Sequence, residues 1–148
     1  MTVMLSAHFT LAELLASDTA QQQGIDNTPD DQVLIELTRT ALMLEAVRRV
    51  LGNKPIIVSS GYRCPELNKA VGGASNSQHM YGQAADFTCP DFGSPEDVIR
   101  AIYAAGKIPF DQMIYEFASW VHISQAGIGN EPRMQVLNID EHGTTALA

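Results

Sequence analysis

Three side chains in this sequence combine the chemistry of metal ligands with a spacing that could bring them together. The segment Ser77-Gln-His79-Met-Tyr-Gly82-Gln-Ala84-Ala-Asp86 sets an imidazole and a carboxylate seven positions apart, with a glycine and small residues between them. Gly82 permits a tight bend and Ala84 leaves room for close packing, so the two groups can be brought to one point. Imidazole nitrogen and carboxylate oxygen are donors suited to zinc. Farther along, Trp120-Val-His122-Ile-Ser124 alternates. On a strand, Val121 and Ile123 face one way and Trp120, His122 and Ser124 the other, which makes His122 a candidate third ligand. Each segment taken alone also has a plainer reading: a histidine hydrogen-bonded to a loop aspartate, and a strand histidine satisfied by its neighbours.

Taken together, Ser-x-His-x-x-Gly-x-Ala-x-Asp and the later Trp-x-His resemble the M15 peptidase family. That family includes D-Ala-D-Ala carboxypeptidases, D-Ala-D-Ala dipeptidases and phage L-Ala-D-Glu endopeptidases. Ser60-Gly-Tyr-Arg63 and Asn68…Val71-Gly-Gly73 look like the family's upstream segment, and His8-Phe-Thr-Leu-Ala-Glu13 like the opening of its compact, phage-rich branch. The resemblance covers about residues 7–137.

The resemblance implies a zinc ion held by His79, Asp86 and His122, with a fourth position left for water. It implies that Arg63 points into the site, to stabilise charge on a carbonyl oxygen or to bind a substrate carboxylate. It also implies that Ser77 orients a substrate group or a ligand. Trp120 and Tyr62 are candidates for the pocket wall, with core packing as the alternative. Many members carry an acidic residue three positions before the last histidine, where this chain has Ser119, which cannot act as a base. Glu116 is the nearest candidate for general base, with Asp111 in reserve. Opposed residues of a hairpin share a face, so pairing Glu116 with His122 across an odd-length loop puts both over the metal. A two-residue Ala118-Ser119 turn would send Glu116 to the other face. That turn lacks Gly, Asn or Asp, which disfavours it.

The elements that must position these groups can be read in outline. Thr10-Leu-Ala-Glu13 is a capping box opening a short helix to about Ser17. Residues 18–30 read as a loop. Asp30 or Asp31 starts a long helix carrying Val33, Leu34, Leu37, Ala41, Leu44 and Val47 at helical spacing, closed by Gly52. A short buried strand over Pro55–Ser59, a helix from Pro65 to Ala70 and a strand over Ala84–Cys89 follow. A helix from Ser94 to Gly106 precedes a hairpin of Gln112–Phe117 and Trp120–Gln125, and Arg133–Ile139 adds an edge strand. These elements predict an α+β fold, an antiparallel sheet with helices on one side, which the resemblance makes Hedgehog/DD-peptidase-like. One domain is expected over residues 1–139, with a loose tail over 140–148.

Composition excludes several classes. A net charge of −8 with no basic stripe argues against nucleic acid and against docking on anionic membranes. No apolar run approaches a membrane span, and the N-terminus lacks the basic and apolar regions of a signal peptide. The chain is therefore expected to be made in the cytoplasm, needing no obligate protein partner, and to reach a wall by another route, as a phage or prophage lysis enzyme does. Cys64 and Cys89 read as free thiols. The function implied is zinc-dependent hydrolysis of a peptide bond in peptidoglycan stem peptides. The rival is a non-catalytic zinc domain of the same fold, kept open by Ser119.

Overall fold

The computed structural model describes residues 2–147; Met1 and Ala148, at the ends of the expected domain and tail, lie outside the described residues. Helix α1 (Leu11–Leu15) opens on the expected capping box: Glu13 N–H donates to Thr10 Oγ1 at 3.1 Å, and Thr10 N–H donates to the Glu13 carboxylate at 2.7 Å. Part of the loop expected over 18–30 is a helix, α2 (Asp18–Gln23), capped by Ser17 and closed by Gly24 at φ 66°. It is short and polar, with Ala20 buried, so no apolar period announces it. Helix α3 (Asp31–Val50) starts at the Asp30 cap. Next come β1 (Ile57–Ser60), α4 (Pro65–Ala70), a 3₁₀ turn (Gln78–Tyr81) and β2 (Ala84–Thr88). The chain ends with α5 (Pro95–Ala105), β3 (Gln112–Glu116), β4 (Trp120–Ser124), β5 (Gln135–Asp140) and β6 (Gly143–Ala146).

The strands form one sheet in the order β1-β2-β4-β3-β5-β6. Three features depart from expectation. β5 pairs with β3 in parallel, whereas every other neighbouring pair is antiparallel. The segment after β4 passes β3 and enters β5 in β3's direction, and β5 lies inside the sheet, between β3 and β6, instead of at its edge. In place of a loose tail beyond Asp140, β6 pairs with β5 and covers that strand's open hydrogen bonds. β1 was expected to be buried, but it has β2 alone beside it, and Ile57 is 54% exposed.

The two faces of the sheet differ. Ala85, Phe87, Met113, Val121 and Ile123 point into a core shared with Leu37, Leu44 and Val47 of α3 and Val98 and Ile102 of α5. Each fully buried leucine there contributes about 1.5–3 kcal/mol. The opposite face carries Asp86, His122, Ile114, Trp120 and Glu116. Their register is Asp86 opposite His122, His122 opposite Ile114, and Trp120 opposite Glu116. Side-chain alternation thus separates a sealed core from the floor of a cleft.

Candidate functional site

The cleft has a volume of about 660 Å³, and its lining includes His79, Asp86, His122, Glu116, Arg63 and Trp120. His79, Asp86 and His122 each offer a donor atom, and the three atoms lie within 4.8 Å of one another. His79 Nε2 is 3.2 Å and His122 Nδ1 2.9 Å from Asp86 Oδ1. Ligands 2.0–2.2 Å from a tetrahedral zinc are about 3.3 Å apart, so these separations fit one ion. Among the described residues, no fourth His, Cys, Asp or Glu joins the group.

The donor chemistry also fits. His79 Nδ1 lies 2.6 Å from the Gly61 carbonyl, which can only accept, so Nδ1 carries the proton. Nε2 of the neutral ring then presents a lone pair to the Asp86 carboxylate. Burial lowers the pKa of His79 against the opposing pull of Asp86, favouring that neutral form. Burial would raise Asp86, but its imidazole neighbours, His122 first and then His79, outweigh it and hold the carboxyl well below the usual range. Facing lone pairs in a buried site call for a cation between them.

Backbone contacts set this geometry. Gly61 lies against α1, where an added Cβ would be 2.3 Å from the Leu14 carbonyl oxygen, and Tyr62 N–H donates to that same oxygen at 2.8 Å. Arg63 N–H donates to the His79 carbonyl at 3.1 Å, so the Gly61–Arg63 loop and the histidine fix each other. The bend between the first two ligands is anchored on α3. Gly82 takes φ 74°, an added Cβ there would be 2.9 Å from the Val33 carbonyl oxygen, and Thr40 Oγ1 donates to the Gly82 carbonyl at 2.7 Å. Ser77 Oγ accepts from His79 N–H at 3.2 Å and from Arg63 at 3.3 Å, tying the arginine to the ligand turn.

Arg63 Nε is buried without a hydrogen-bond partner. Burial lowers the guanidinium's pKa, with Asp86 and then Glu116 pulling it back up. Glu116 lines the cleft from the same face as His122. The hairpin loop is of odd length, as expected, but Glu116 pairs with Trp120 and Ile114 with His122, one pair off the expected register. Phe117 and Ala118 take φ 51° and 54°, and the Glu116 carbonyl accepts from Ser119 N–H at 2.9 Å. Trp120 lines the cleft beside Phe117.

Two expectations fail here. Tyr62 is not a wall of this cleft: it is 7% exposed and packs in the core, because the loop that turns Arg63 toward the cleft turns its neighbour away. Asp111 is not a free base. Arg133 donates to it from Nε at 3.0 and 3.1 Å, from Nη2 at 2.7 Å and from the backbone at 3.0 Å, and Gln78 Nε2 donates at 3.0 Å. The Arg133 hydrogen bonds, against burial, hold its carboxyl below the ordinary range. Such a group contributes stability in full above its unfolded pKa of about 3.9 and loses it as pH falls through the lower folded value. Asp111→Asn should therefore cost about 1–3 kcal/mol at neutral pH. The gap between wild-type and variant denaturation midpoints should close as the pH is taken below the usual aspartate range.

Asn27 gave no signal in the sequence beyond its place in a polar stretch. Its Nδ2 donates to the Leu15 and Tyr62 carbonyls, both at 3.0 Å, and its Oδ1 accepts from Cys64 N–H at 2.8 Å. It therefore clamps the backbone on both sides of Arg63. Asn27→Ala should lower kcat/KM by about 10- to 100-fold, since an ångström of misplacement has that order of cost. Zinc content should be unchanged because the ligands themselves are untouched. Metal analysis beside steady-state kinetics checks both.

An α+β sheet thus brings two histidines and an aspartate together on the floor of a cleft, as a group that could hold one metal ion. The chain belongs to the peptidase M15 family, whose profile matches residues 7–124. It is also similar to the zinc D-Ala-D-Ala carboxypeptidase of Streptomyces albus G, with 55% identity over 47 residues. That match covers 32% of this chain and 18% of the relative.

Proposed function

We propose that this chain is a zinc peptidase that hydrolyses a bond in peptidoglycan stem peptides, either D-Ala-D-Ala or L-Ala-D-Glu. The reading rests on three converging donor atoms that share an open cleft with Glu116 and Arg63 and, among the described residues, are joined by no fourth His, Cys, Asp or Glu. His79, Asp86 and His122 would hold the zinc, which when bound supplies the Lewis acidity that activates water near neutral pH and polarises a carbonyl. Glu116 takes the proton from the attacking water and passes it to the departing amine. Arg63, which lines the cleft, meets the charge that develops on the carbonyl oxygen, or a substrate carboxylate. Ser77 steadies Arg63 and the His79 turn, and Trp120 offers a wall for the peptide.

No described helix is long and apolar enough to cross a membrane. The compact domain suits a phage or prophage lysis enzyme. Ser119, exposed in the hairpin turn, supports the second reading of a zinc-binding module without turnover. Mass spectrometry of purified peptidoglycan fragments, digested with and without chelator, tests the choice. Cleavage products that appear only with metal carry the enzyme reading and name the bond. Unchanged fragments from several wall types would leave the binding module.

A further inference from the structure

At the end of the cleft away from Glu116, the geometry points to a second recognition group. Along β3 the cleft face runs Gln112, Ile114, Glu116, and across β5 it runs Gln135, Leu137, Ile139 in the same register. Ile114 stands opposite His122, so the ligands lie at the middle of this row and Glu116 at one end. Arg133 enters at the other end, two residues before Gln135. It lines the cleft, and its side chain is 55% exposed.

The arginine is held in place. Asp111, with a side chain 6% exposed, grips Nε and Nη2 and so fixes the plane of the guanidinium. Asp111 is fixed in turn by Gln78, the neighbour of His79 in sequence. Gln78 spends its Nε2 donors on Asp111 and on the Gln125 carbonyl, which leaves its buried Oε1 with no partner. A clamped cation with donors to spare thus faces the cleft, and a peptide residue with a free carboxylate supplies the partner those donors call for.

Resting on the peptidase reading, we propose that Arg133, oriented by Asp111, is a specificity-determining residue that receives a carboxylate of the substrate peptide. Two carboxylates in stem peptides could supply it: the C-terminal one beyond D-Ala-D-Ala, and the free one on D-Glu.

The test is equilibrium binding by calorimetry, using zinc-loaded full-length chain with Glu116→Gln to keep the peptides intact. The probes are a D-Ala-D-Ala peptide, an L-Ala-D-Glu peptide, and versions of each with the carboxylate in question converted to carboxamide. With Arg133 present, one of the two amidations should weaken binding by about 10- to 100-fold, and that one names the source. Adding Arg133→Gln should erase the difference. Arg133→Lys, which keeps the charge without the planar fork, should reduce it several-fold and serves if the glutamine variant does not fold. The proposal is overturned if neither amidation matters. It is also overturned if the discrimination persists without Arg133, or if it disappears with Arg63→Gln while surviving Arg133→Gln. These outcomes hold whether or not the wild-type chain cuts the peptides, so a failure of the peptidase reading shows separately, as bound but uncleaved substrate.

Discussion

Replacing His122 with alanine is expected to abolish hydrolysis and to leave the purified chain with far less than one zinc per molecule. Substitutions that disturb only the partners of metal ligands cost about 10- to 100-fold in affinity or activity, so removing a ligand costs at least the upper figure. The loss also reaches Asp86, because His122 Nδ1 lies 2.9 Å from its Oδ1 and supplies the larger of the two hydrogen-bond effects that hold the carboxyl low. Without that neighbour, burial pushes Asp86 toward its protonated, non-ligating form. Added zinc should raise the wild-type melting temperature, because a ligand that binds the native state stabilises it, and should leave the variant's nearly unchanged. Metal analysis after dialysis against limiting zinc, run beside the two melts, gives the answer. A His122→Ala chain with a full complement of zinc would move the metal site away from this cleft.

The cluster of His79, Asp86 and His122 is legible in the sequence because each member's placement depends on local rules. A glycine bend joins His79 to Asp86, and period-two alternation puts His122 on the polar face of β4. Antiparallel pairing then sets His122 directly opposite Asp86. The shared face of Glu116 and His122 followed from the same parity. The register itself did not, because the turn places Phe117 and Ala118 at positive φ where glycine or asparagine is the usual signal. Asn27 and Arg133 stayed hidden for a different reason. Asn27 works by gripping backbone groups 12 and 35 positions away. Arg133 reaches the cleft only because β5 runs parallel beside β3, and nothing local in its sequence specifies that neighbour. Tyr62 shows the converse: it sits in a motif that resembles the family's, yet the loop turns it into the core.

Glu116→Gln separates chemistry from binding. Glutamine keeps the shape of the side chain and its contact with Trp120 across the hairpin, but it cannot take a proton from water. Burial, and then the negative charge of Asp86, raise the Glu116 carboxyl above its ordinary value, while His122, Trp120 and Arg63 draw it down. A carboxylate made more basic in this way is a better proton acceptor near neutral pH than a solvated one. Loss of a general base costs about 10²- to 10⁴-fold, so kcat should fall by that factor with KM and zinc content close to wild type. The pH profile carries the sign. The base works deprotonated, so wild-type kcat/KM rises with pH through the Glu116 pKa, and the variant should lack that acid limb. Asp111 cannot take over, because Arg133 and Gln78 occupy its carboxylate. A variant that turns over at the wild-type rate would require another base in the cleft. A wild-type chain that binds zinc fully yet cuts no stem peptide would make Glu116 a bystander in a binding module.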